Sequence, residues 1–136
     1  MKYLFYLIPV IYLISSCGKS SGGCDETAVC YTERPDSLYI ELQLSPSSPT
    51  DTLEVSFYVG NIDDGELYLT FLTTNEKEYF HMPVGEKYAA KAKYNRDNES
   101  IIAVDGDRLS ADSYTNCEVK CYDWDDVIFD LTLDKN

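Results

Sequence analysis

The chain has 136 residues, and its 24 Asp and Glu against 11 Lys and Arg give a net charge of −13. That balance argues against nucleic acid, whose binding rests on Lys and Arg meeting phosphates, and against electrostatic adhesion to anionic lipid. The length allows one domain with a sizeable core, and not two.

The first feature along the chain is Lys2, followed by about 12 mostly apolar residues from Tyr3 to Ile14, then Ser15 and Ser16. A positive start, a short apolar run and small residues are the parts of a removable export signal. The run falls short of the ~20 residues that a helix needs to cross a bilayer. Ile14-Ser15-Ser16-Cys17 resembles the lipobox of bacterial lipoproteins: apolar, small, small, Cys. The resemblance implies cleavage before Cys17, lipidation of its thiol and acylation of the new amino group; the alternative is an ordinary cleaved signal followed by a cysteine. Residues 1–16 are thus expected as signal peptide and Cys17 as the membrane attachment. Several acyl chains on one residue exceed the two signals that stable anchoring takes. Gly18, rather than Asp, beside that cysteine resembles an enteric-type sorting pattern for the outer membrane. Residues 17–27 then form the lipidated cysteine and a flexible tether, and 28–136 the domain.

Within the domain, Leu38–Leu44, Leu53–Val59, Leu67–Phe71 and Val127–Leu133 alternate apolar with polar or aromatic residues. Period two is the signature of strands with one buried face. Tyr88–Tyr94 alternates less cleanly and is expected as a strand, and Ile101-Ile102-Ala103-Val104 as a centrally buried one. Weaker candidates are 28–32, 78–82 and 117–122. Between them, Ser45-Pro46-Ser47-Ser48-Pro49 is a loop suited to carry the chain between sheets, because Pro denies a ladder hydrogen bond. Asp63-Asp64-Gly65 reads as a hairpin turn, and Asp105-Gly106-Asp107 as another. Together these predict an all-β fold: a single antiparallel sandwich of about seven to nine strands. Pro83-Val84-Gly85-Glu86-Lys87-Tyr88, with Ile101–Gly106 after it, resembles the small immunoglobulin-like or transthyretin-like sandwiches of exported lipoproteins; the resemblance concerns fold only.

With Cys17 assigned to lipid, Cys24, Cys30, Cys117 and Cys121 remain. An even count in an exported chain reads as two disulfides with three possible connectivities. Local pairing, 24–30 with 117–121, is the leading reading and requires the chain to turn between Cys117 and Cys121. If 117–121 is instead a straight strand, both thiols share a face and must reach Cys24 and Cys30. A four-thiolate zinc site is the third option, although the spacings miss the usual CxxC pattern.

Catalytic chemistry has few residues to draw on. His81 is the only histidine, and no GxSxG elbow is present. Asp63 and Asp64 at one turn and Asp105 and Asp107 at another are weak calcium candidates, without an EF-hand loop; no cofactor and no dedicated metal site are expected. Tyr39, Tyr58 and Tyr68 occupy outward positions on three strands. If those strands are neighbours, the rings form a stripe able to stack on a sugar or anchor a protein. Otherwise they are cross-strand pairs that stabilise the sheet. Trp124, amid Asp123, Asp125 and Asp126, is a further ligand candidate or a cap on the core. The leading expectation is a lipid-anchored, non-enzymatic envelope protein that contacts a protein or glycan. The alternatives are a small hydrolase using His81 or a carboxylate pair, and a structural subunit of an envelope complex, which an exposed apolar edge strand would favour.

Overall fold

The computed structural model describes residues 24–133; the expected signal peptide, Cys17 and residues 18–23 lie outside the described residues. Nine strands follow in order: β1 Ser37–Gln43, β2 Leu53–Val59, β3 Glu66–Thr73, β4 Lys77–Pro83, β5 Lys87–Arg96, β6 Glu99–Arg108, β7 Asp112–Asn116, β8 Val119–Asp123 and β9 Val127–Asp130. They build an all-β sandwich from a three-stranded sheet, β4-β1-β9, and a four-stranded sheet, β3-β2-β5-β6. The β7-β8 hairpin is a separate two-stranded piece. Every ladder is antiparallel except β1 with β9, which run parallel and make the smaller sheet mixed.

Alternation decides what lies inside. Ile40, Leu42 and Leu44 from β1 and its end, Leu53, Val55 and Phe57 from β2, Tyr88, Ala90, Ala92 and Tyr94 from β5, and Phe129 and Leu131 near the C-terminus are all buried in one core. Phe57 stands at its centre, with ring centroids 4.8 Å from Phe80, 5.8 Å from Tyr88 and 6.3 Å from Phe129. The link at 45–50 carries the chain from one sheet to the other, as its prolines predict. Tyr94 fastens this end of the sandwich: its hydroxyl donates to the Leu131 carbonyl at 2.7 Å and accepts from the Ser45 N–H at 3.2 Å. A buried phenol is thereby satisfied at both functions.

Several expectations need correction. The apolar run 101–104 is not central: β6 is an edge strand, and Ile102 and Val104 project outward, each 56% exposed. A continuous run fits this place because the edge leaves both faces only half covered. Asp105-Gly106-Asp107 is not a turn but part of β6, where a Cβ on Gly106 would lie 2.6 Å from the Tyr88 carbonyl. Glycine there permits close backbone approach, which is its other use in strands. The turn around Asp63 and Asp64 does join β2 to β3, but the positive φ falls at Gly60. A Cβ on Gly65 would meet the Asn61 oxygen at 2.2 Å. The β5–β6 and β7–β8 hairpins turn through Asp97-Asn98 and Cys117-Glu118, all four at positive φ, as tight turns matched to strand twist require. Residues 28–32 contribute one bridge, Tyr31 to Tyr122, rather than a strand.

The disulfides are long-range, Cys24–Cys117 and Cys30–Cys121, with Cα separations of 4.6 and 5.0 Å. Local pairing is overturned for a geometric reason. The chain does turn at Cys117, but the turn leaves Cys117 at the hairpin tip and sends Cys121 along β8, so each meets the N-terminal arm instead. Residues 24–27, expected as tether, are therefore part of the domain: Cys24 is bonded, and the Asp25 N–H donates to the Asn116 side chain at 3.0 Å. The Tyr114 hydroxyl donates to the Val29 carbonyl, and Tyr31 packs on Trp124 with centroids 4.7 Å apart. The first bridge to close constrains a loop of nearly the whole domain, worth about 4–5 kcal/mol in the chain-entropy model; the second then closes only a short one, worth less than about 3 kcal/mol.

Because β7-β8 shares no ladder with either sheet, reduction should release it selectively. Hydrogen exchange under reducing conditions is expected to rise across 112–123 while β2 and β5 keep their protection. Equal loss of protection in both regions would contradict this division.

Candidate functional site

The outer face of the three-stranded sheet is built from the alternate residues of β1, β4 and β9. With Ile40 and Leu42 turned into the core, Tyr39 and Glu41 must point out. Register places Tyr39 opposite His81, and Glu41 between Tyr79 and Ile128. Tyr39, Tyr79 and Ile128 are 62%, 58% and 50% exposed. They surround Glu41 and, with Asp126 and Val127, line a largely apolar groove of about 360 Å³.

Glu41 organises the floor. It forms an ion pair with Lys77 and accepts from the Gln43 amide, and these partners hold its carboxyl below the ordinary 4.5. A lowered folded value means that its contribution to stability is present above the unfolded pKa and is lost as pH falls through the folded one. The Glu41 carboxylate, with desolvation, raises the Tyr79 phenol above its ordinary 10.0. Tyr79 thus stands across from a charged residue while its ring stays open to solvent.

Next to the groove, and sharing Asp126, Val127 and Ile128 with it, lies a second cavity of about 430 Å³. It is bounded by the end of β6 at Asp107 and Arg108, the start of β7 at Asp112, and the β8–β9 link through Asp123, Trp124 and Asp125. Trp124 is half-buried against Tyr31 and forms one wall. Arg108 is its one cation, facing five Asp.

The three-tyrosine stripe does not form. Tyr39 lies on β1 in the smaller sheet, whereas Tyr58 and Tyr68 lie on β2 and β3 in the larger one. A bulge at Phe57/Tyr58 sets Tyr58 opposite Leu67 and leaves Tyr68 as the extra residue. Its ring meets Phe57 edge-on at 6.3 Å rather than joining an outer row. Tyr58 remains outward, with the Lys91 ammonium 5.7 Å from its ring centre. The residues that do join Tyr39 are Glu41, Tyr79 and Ile128. The outward alternation of 77–83 and 127–131 carried that signal, but the pairing of β1 with β4 and β9 did not show in it.

His81 contacts a hydroxyl: Ser37 Oγ is 3.0 Å from its Nε2, and the Tyr39 ring packs on it at 4.7 Å. The pair sits outside both cavities, with no carboxylate hydrogen-bonded to the imidazole among the described residues. Three of the four calcium candidates are otherwise engaged. Asp64 accepts from Asn61, Asp105 from the backbone N–H groups of Gly106 and Asp130, and Asp107 from that of Arg108. No group of three or more His, Cys, Asp or Glu able to hold a metal ion occurs among the described residues. Comparison with protein-family models, curated proteins and solved structures gives no match, so the site is defined by its own geometry. The fold and its bridges define a disulfide-bonded β-sandwich, and the two disulfides point to an oxidising, extracytoplasmic compartment.

Replacing Glu41 by Gln should bring the Tyr79 phenol back toward 10.0, followed by its ring resonances in an NMR titration. An unchanged midpoint would mean that Glu41 is not the group that raises it.

Proposed function

We propose that the protein is a lipid-anchored, non-enzymatic binding module of the bacterial envelope that captures a protein or glycan on the outer face of β4-β1-β9. The observation that carries this reading is the groove in which Tyr39, Tyr79 and Ile128 stand open to solvent around the tethered Glu41. Exposed aromatic rings with polar tips suit recognition, since they offer apolar area at low conformational cost. The lipobox-like Ile14–Cys17 supports attachment through Cys17, and Gly18 supports the outer membrane as destination. Six residues lie between Cys17 and Cys24. Even fully extended, a link of that length reaches no more than about 25 Å, so the anchor would hold the β7-β8 hairpin close to the bilayer.

A second reading, a structural subunit of an envelope complex, has its own support. Leu72, Glu54, Lys93 and Ile102 form one row across the outer face of the larger sheet, and Leu67 and Val104 add to its apolar margins. The ten-residue edge strand β6 adds an unpaired ladder, the kind of edge that invites assembly.

The test uses in-cell crosslinking and fractionation. Tyr39→Ala with Tyr79→Ala should abolish capture of the crosslinked partner at unchanged melting temperature, and Cys17→Ser should move the protein from the membrane to the soluble fraction. Retained capture in the double variant would remove this face as the docking surface; retained sedimentation of Cys17→Ser would remove the lipid anchor.

A further inference from the structure

We infer that the free edge of β9 at Ile128 receives an extended, basic polypeptide segment of a partner protein as an added strand. This deepens the docking face proposed above and rests on it.

The backbone supplies the first argument. In the parallel ladder, Glu41 pairs with Ile128 and Gln43 with Asp130, and the Leu131 N–H donates to the Gln43 carbonyl at 2.9 Å. Odd-numbered residues of β9 therefore turn their N–H and C=O toward β1, and even-numbered residues turn theirs away. Asp130 shows the outward direction directly, because its N–H donates to the Asp105 carboxylate at 2.8 Å. The Ile128 N–H and C=O point the same way and meet no partner among the described residues. Asp105 caps the edge at Asp130, so the open stretch is short and begins before it. A peptide backbone, with its alternating donors and acceptors, matches such an edge; a glycan does not.

The flanks supply the second. Ile128 lines both cavities. Side chains of an added strand alternate between its two faces, so one set would lie beside Ile128 at the margin of the groove and the other would enter the cavity beside Trp124. There Asp112, Asp123 and Asp125 outnumber Arg108, which selects Lys or Arg. The same charge disfavours a second copy of this chain, since each carries −13.

The probes are fluorescein-labelled (Lys-Val)5 and (Glu-Val)5, titrated by anisotropy against the full-length protein in detergent at 0.15 M salt. The Lys peptide should bind at least tenfold more tightly than the Glu peptide. Ile128→Pro removes the outward N–H without touching the ladder to β1 and keeps every charge. It should weaken binding tenfold or more while the melting temperature holds. Should that variant melt early, alternate N-methylation of the Lys peptide on wild-type protein reads the same backbone contact, and should cause the same loss. Equal binding of both peptides, or of the methylated and unmethylated forms, would overturn the inference. A dimer in sedimentation that Ile128→Pro dissociates would overturn the choice of occupant. If neither peptide binds but cellohexaose does, and Tyr79→Ala abolishes it, the added strand is refuted while the docking face stands.

Discussion

The structure depends on one aromatic cluster across its two layers. Phe57 belongs to the larger sheet, and the rings it meets at 4.8 and 6.3 Å, Phe80 and Phe129, belong to the smaller one. Each such pair adds about 0.5–1.5 kcal/mol beyond the apolar area it buries, and the pairs also fix which way every neighbouring strand faces. Once Phe80 and Phe129 point inward, Tyr79 and Ile128 must point outward, and Ile40 and Leu42 do the same to Tyr39 and Glu41. The groove is therefore the reverse side of the core. Any register slip that exposed Phe57's partners would bury the groove residues instead.

A second constraint acts at the end of the sandwich. The β7-β8 hairpin is polar and pairs with neither sheet, so its position comes from two disulfides, one bridge and the Tyr31–Trp124 contact. That position matters to the site because the start and end of the hairpin, Asp112 and Asp123, border the acidic cavity. Covalent links supply the order that a small apolar contact area would not. An apolar groove on one flank and an acidic cavity on the other meet at Ile128, where the backbone edge is open.

Much of the fold was legible because alternation is local. The inward sets of β1, β2 and β5 follow from period two alone, and Pro46 with Pro49 marks the crossing between sheets. What stayed hidden was set by distant partners. Nothing in Leu38–Leu44 says that β1 pairs with β4 and β9 rather than with β2, so the sequence alone does not group Tyr39 with Tyr79 and Ile128. The bulge that turns Tyr68 toward Phe57 adds one residue to a strand whose alternation otherwise reads straight. Asp112–Asn116 has no apolar period and went unseen as a strand, because its fixation is covalent. The cysteine count foretold two bridges, but their partners required knowing that residues 24–31 return to lie along β7-β8.

The central claim is that the molecule meets its partner on the β4-β1-β9 face. A photo-crosslinking amino acid at position 79, compared with one at position 58 on the outer face of the opposite sheet, tests this most directly in intact cells. The account predicts a discrete crosslinked product from position 79 and none from position 58. Crosslinking from position 58 alone would contradict it and move the docking surface to the larger sheet.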